Sequence, residues 1–187
     1  MTTGGAAGQK AYNLNGLRIL VVEDFPFMAD LMSAMLREFN VGKILSMCQI
    51  EEAQKALTTY NVDTPQNQHI DLVMTDLFPP RDEGLQLMRW IRGHKKDSVR
   101  FIPVLFCTAH TTQQVVTKGR DVGATEILMK PVSAEKLAHR LLHIIDNPRP
   151  YVKAPDFFGP DRRRKTVQYN GENRRILSEN DMKVVNE

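Results

Sequence analysis

Five short apolar runs recur along the chain: LRILVV (17–22), KILSMC (43–48), IDLVMT (70–75), IPVLFC (102–107) and TEILM (125–129). Amphipathic stretches of about 10 to 15 residues separate them, and this alternation admits few folds. Strands that alternate with helices build a parallel α/β sheet, and runs apolar on consecutive residues are strands buried on both faces. Five such strand-helix pairs predict a (βα)5 doubly wound, parallel five-stranded sheet. The first helix reads Phe25-Pro26-Phe27 into MADLMSAMLREF. Asp24 is its candidate N-cap, and Met28, Leu31, Met32, Met35 and Leu36 form a core stripe at helical spacing. The last helix, SAEKLAHRLLHII, opens on Ser133 as its cap and ends before Asn147-Pro148. The polar stretch NVDTPQNQH (61–69) reads as a connection.

Composition sets the outer bounds. At 187 residues, 42% hydrophobic and 25% charged, the chain has material for one sizeable domain plus tails. The expected division is a flexible arm over residues 1–14, a compact domain over 15–147 and a tail over 148–187, where prolines and glycines interrupt any regular element. No apolar run approaches the roughly 20 residues of a membrane helix. The opening MTTGGAAGQKAYNLNG lacks the apolar stretch of a signal peptide, so a cytoplasmic protein is expected. Cys48 and Cys107 sit in apolar runs at no metal-ligand spacing and read as buried free thiols. The whole net charge of +3 is carried by residues 148–187, which hold nine Lys and Arg against six Asp and Glu. A basic excess so confined points to a local anionic partner rather than to DNA.

Ligands of an open parallel sheet bind outside the carboxyl ends of its strands. Here those ends carry Glu23 and Asp24, Asp76, Thr108, and Lys130 followed by Pro131. Taken singly, each has an ordinary explanation as a cap, a loop acid, a strand-end hydroxyl or a solvated charge. Together they point to a phosphoryl-transfer site, because converging carboxylates repel unless protonated or bridged by a hard cation such as Mg²⁺.

With LRILVVED, DLVMTDLFPPRDEG, IPVLFCTA and GATEILMKP, residues 15–147 resemble the CheY-like receiver domains of response regulators, which have a flavodoxin-like fold. The resemblance implies that Asp76 is the phosphoacceptor, and that Asp24, Asp76 and the Phe78 carbonyl bind Mg²⁺ with Glu23 acting through water or the metal. It further implies that Lys130 holds a phosphoryl oxygen, that Thr108 moves to bond it, and that the Lys130-Pro131 bond is cis. A histidine kinase is the implied donor. Two departures stand out. Ile127 occupies the place of the family's aromatic switch, and Phe78 and His110 occupy positions that influence dephosphorylation.

Within the tail, Gly159-Pro160-Asp161-Arg162-Arg163 returns twelve residues later as Gly171-Glu172-Asn173-Arg174-Arg175. A solvated basic linker is one explanation of this G-x-x-R-R repeat. The other is guanine recognition: arginine bonds guanine O6 and N7 in parallel, while a neighbouring carboxylate accepts from guanine N–H groups. A ligand with two guanines and two phosphates suits two such motifs. With these residues the tail resembles the arginine-rich extension of the Cle proteins, CheY-like cyclic di-GMP effectors. That resemblance implies a cyclic di-GMP site at Asp161, Arg162, Arg163, Arg164, Glu172, Arg174 and Arg175. It also implies engagement of the flagellar motor switch protein in chemotaxis and recruitment to the flagellar pole. The leading reading is therefore a non-enzymatic signalling adaptor. The alternative is a single-domain response regulator driven mainly by Asp76 phosphorylation, whose basic tail docks an acidic partner.

Overall fold

The computed structural model describes residues 12–78, 82–110, 112–162 and 183–185. Strands β1 (Arg18–Val22), β2 (Lys43–Met47), β3 (Leu72–Thr75), β4 (Val104–Thr108) and β5 (Glu126–Met129) form one sheet in the order β2-β1-β3-β4-β5, every pair parallel. The predicted doubly wound sheet is the one observed. Helices α1 (Pro26–Glu38), α2 (Ile50–Asn61), α3 (Glu83–Gly93), α4 (Asp97–Arg100), α5 (Gln113–Val122) and α6 (Ala134–Asp146) cover it. Successive strand residues point to opposite faces, so β1 feeds two cores. Ile19 and Val21 pack with Met32 and Leu36 of α1 and Leu137 and Leu141 of α6. Leu20 and Val22 pack with Leu57 of α2 and Leu87, Met88 and Ile91 of α3. The chain leaves β1 outward to β2 and returns to β3 on the other side, which opens a crevice at the carboxyl ends of β1 and β3.

Several local expectations are corrected. Strand β2 is only half-buried, because as an edge strand it has a single neighbour and solvent reaches it. Cys48, just beyond it, is exposed, whereas Cys107 in central β4 is buried. Phe25 rather than Asp24 occupies the N-cap of α1, with Pro26 beginning the helix, and Leu31 of the expected core stripe faces outward. The polar connection holds a short 3-10 turn, Gln66–Gln68, anchored by buried Asn61, whose amide serves Ile70 at both its N–H and its carbonyl.

The ends differ most. The arm expected over residues 1–14 is shorter at its inner end: Leu14 joins the core, and the Tyr12 hydroxyl donates to the Asp146 carboxylate. Residues 1–11 lie outside the described set. In place of an irregular tail from Pro148, β6 (Tyr151–Ala154) and β7 (Phe157–Pro160) form an antiparallel hairpin around Pro155-Asp156. Strand β8 (Lys183–Val185) pairs with the other edge of β6. The cause is packing onto the sheet domain. Tyr151 is buried, donates to the Phe101 carbonyl at 2.6 Å and meets the Phe101 and Phe158 rings. Beneath it Arg92 is buried, donating to the carbonyls of Gly123, Arg100 and Ile102. Gly159, the first glycine of the repeat, lies so close that a Cβ there would come within 3.1 Å of Gly123 Cα.

Candidate functional site

Each group at the strand ends is held by its own strand and the next. The Glu23 amide donates to Met47 O, that of Asp76 to Val22 O and that of Lys130 to Thr108 O, at 3.0, 3.2 and 2.9 Å. These ladder bonds turn the side chains into one crevice. Lys130 Nζ lies 2.6 Å from Glu23 Oε2 and 2.9 Å from Asp76 Oδ2. Carboxylate oxygens of Glu23, Asp24 and Asp76 all lie within 4.8 Å of one another. Glu23 is buried, Asp76 half-buried and Asp24 exposed, so the group opens to solvent on one side.

Three carboxylates and one ammonium leave the pocket with a charge of −2 when all are ionised, which a single divalent cation cancels. Burial pushes the Glu23 carboxyl above its usual range, against the pull of Lys130. Burial alone would lower the Lys130 ammonium, but its bonds to Glu23 and Asp76 win and hold it above the ordinary lysine value. Burial likewise pushes the Cys107 thiol up to about 12, so it is inert beside the pocket.

The loop after β3 explains the glycine eight residues beyond Asp76. A Cβ on Gly84 would fall inside the Asp76 carbonyl group, while the Gly84 amide donates to Leu77 O at 3.0 Å. Phe78, expected to offer a carbonyl to the metal, has a φ of 57° and a buried ring. That left-handed backbone turns the loop sharply after Asp76. Thr108 is fully buried and its hydroxyl accepts from the His110 amide at 3.0 Å. His110 itself is exposed at the rim, and Ile127 packs beside the core. The Lys130-Pro131 peptide is cis. The structure thus brings together Glu23, Asp24, Asp76 and Lys130, and places Thr108 on the neighbouring strand end.

Of the tail residues singled out in the sequence, Asp161 and Arg162 are described. Arg163, Arg164, Glu172, Arg174 and Arg175 lie outside the described residues. The Asp161 amide donates to Pro150 O at 2.8 Å. Arg162 bonds the Asp121 carboxylate at 2.7 Å and the Asp121 carbonyl at 3.2 Å, and its guanidinium lies 4.2 Å from the Phe157 ring centre. Sequence reading missed Asp121 and Arg92, whose partners Arg162 and Tyr151 lie 41 and 59 residues away and leave no periodic signal.

Comparison with known proteins agrees with this geometry. The family model described as the response regulator receiver domain matches residues 19–142. The chain belongs to that family. It is 31% identical over 124 residues to the DNA-binding response regulator MtrA of Mycolicibacterium smegmatis, covering 66% of this chain and 48% of that protein. It is 27% identical over 136 residues to the two-component response regulator-like protein APRR7 of Arabidopsis thaliana, covering 73% and 18%. The chain therefore spans about half or less of the length of these relatives. Among solved structures, the chemotaxis response regulator CheY4 of Vibrio cholerae shares the fold. Its TM-score is 0.58 at 22% identity, covering 68% of this chain and 98% of that one. Receiver domains are signalling modules that bind Mg²⁺ at an acidic pocket, and Glu23, Asp24 and Asp76 make up that cluster here. No described helix is long and apolar enough to cross a membrane.

Proposed function

We propose that this protein is a CheY-like signalling adaptor with two inputs, phosphorylation at Asp76 and cyclic di-GMP at its arginine-rich tail, whose output surface engages the flagellar motor switch. The observation that carries the first input is Lys130 reaching both Glu23 and Asp76 within 2.9 Å. An Asp76 oxygen attacks the donor's phosphorus, and a P–O bond forms as the donor's bond breaks and its electron pair leaves with the donor. Lys130 then exchanges Asp76 for a phosphoryl oxygen, and Thr108 donates its hydroxyl to another. Asp24, Asp76 and the Phe78 carbonyl would hold Mg²⁺, with Glu23 acting through water or the metal, and the ion would supply positive charge to the transferring group. A histidine kinase is the expected donor.

The repeated G-x-x-R-R supports the second input, with Asp161, Arg162, Arg163, Arg164, Glu172, Arg174 and Arg175 as the ligand-bonding set. One observation favours a different reading, in which phosphorylation alone switches the protein and the tail docks an acidic partner. Arg162 already bonds a carboxylate, that of Asp121. The two readings separate on guanine specificity.

The phosphorylation site is tested by incubating the full chain with acetyl phosphate and Mg²⁺ and mapping the product by mass spectrometry. A single phosphoryl group on Asp76, absent from Asp76→Asn, is expected. Labelling elsewhere, or undiminished labelling of that variant, contradicts the assignment.

A further inference from the structure

The face on which the hairpin docks holds a cleft of about 460 Å³, separate from the acidic pocket. Arg89 and Arg92 line it from the end of α3, Arg100 from α4, Asp121 from the end of α5, and Lys153 and Asp156 from the hairpin. Charge is unevenly settled across these walls. Arg100 Nε meets the Asp97 carboxylate at 2.7 Å, and Arg162, at the rim, meets Asp121 at the same distance. Arg92 is committed to backbone carbonyls and has no carboxylate against it among the described residues. Arg89 and Lys153 are exposed and enter no ion pair among the described residues. Asp156 is left against Arg89, Arg92 and Lys153, so the lining carries a net charge of +2.

Helix carboxyl ends ordinarily repel an anion. Here Arg92 takes up the Arg100 and Gly123 carbonyls at the ends of α4 and α5, which offsets part of that repulsion. The aromatic rings nearby are already occupied. Arg162 covers Phe157, and Arg100 covers Phe158 at 4.7 Å. The cleft therefore offers charge rather than a stacking platform, which suits an anion.

The geometry points to this cleft as the phosphate-holding part of the cyclic dinucleotide site, with Arg89 contributed by the receiver fold and Lys153 by the hairpin. The inference rests on the proposed reading of the tail. Asp121 and Phe157 both line the cleft and hold Arg162, which places the first arginine of the G-x-x-R-R repeat at the cleft mouth.

The test is calorimetric titration of full-length protein with cyclic di-GMP at two salt concentrations. The parent is compared with Arg89→Ala/Lys153→Ala and with Arg37→Ala/Lys55→Ala, which removes the same charge from α1 and α2, outside the cleft lining. All four side chains are exposed, so the fold is retained. The cleft variant should bind about tenfold more weakly with a shallower salt dependence, and the control should stay within about twofold of the parent. Parental affinity in the cleft variant, or equal loss in both variants, overturns the cleft while the tail reading stands. No binding by the parent overturns the tail reading and the cleft with it.

Discussion

The acidic pocket and the docked hairpin occupy opposite ends of the sheet and are built on different plans. Every side chain of the pocket ends or follows its own strand, so neighbours in sequence decide where it points. The hairpin packs near the amino ends of β4 and β5 through partners distant in sequence: Tyr151 with Phe101, Arg149 with Thr125 and Arg162 with Asp121. A pocket written at strand ends can keep its groups while the surface around it diversifies. A docked segment depends on a few anchors, and losing one loosens the whole attachment.

That contrast can be broken at the hairpin first. Tyr151→Ala removes an aromatic cluster and uncovers buried Arg92, so it should cost about 3 kcal/mol in chemical denaturation of the full chain. Tyr151→Phe, which loses only the bond to the Phe101 carbonyl, should cost about 1 kcal/mol. An unchanged midpoint for Tyr151→Ala would mean that the hairpin is not integral to the domain.

At the pocket, Lys130→Gln leaves Glu23 buried without its cation. In metal-free protein at pH 8 the loss should be about 2 kcal/mol. The Glu23 carboxyl titrates higher in the folded chain than its ordinary value of 4.5, so protonation favours the folded state. This contribution is complete below the ordinary value and is lost as the pH rises through the raised one. The variant should therefore approach the parent's stability as the pH falls through that window, and thermal melts at pH 8 and pH 5 that show the same deficit would contradict the ion-pair account. A smaller effect separates metal ligation from helix capping. Asp24→Ala should weaken Mg²⁺ binding about tenfold, whereas Ser133→Ala, which removes the cap on Lys136 N, should leave it unchanged. Equal small losses would remove Asp24 from the site.

What could be read in the sequence follows the same division. The five strands, the parallel order and the convergence of Glu23, Asp24, Asp76 and Lys130 follow from apolar periodicity and the strand-end rule. Gly84 closes the DLVMTDLFPPRDEG motif, and the structure supplies its reason, the close approach of the Asp76 carbonyl. The exposure of β2 and Cys48 was hidden, because edge position depends on strand order and not on residue type. The hairpin was hidden for a stronger reason. Pro155, Gly159 and Pro160 read as interruptions, yet Pro155 sits in the turn and Gly159 permits contact with Gly123. The aromatics that anchor it have no helical or alternating spacing to betray a core. Asp121 had no local signal at all, since its partner Arg162 lies 41 residues away.

The most direct test of the two-input account is calorimetric titration of the full chain with cyclic di-GMP, parent against Arg162→Lys/Arg163→Lys. Lysine keeps the charge and loses the planar fork that reads guanine. The account predicts saturable binding by the parent, near loss of binding in the lysine variant and no competition by cyclic di-AMP. Equal binding by the two proteins, or equal competition by cyclic di-AMP, would contradict guanine recognition and leave a receiver whose tail acts through charge alone.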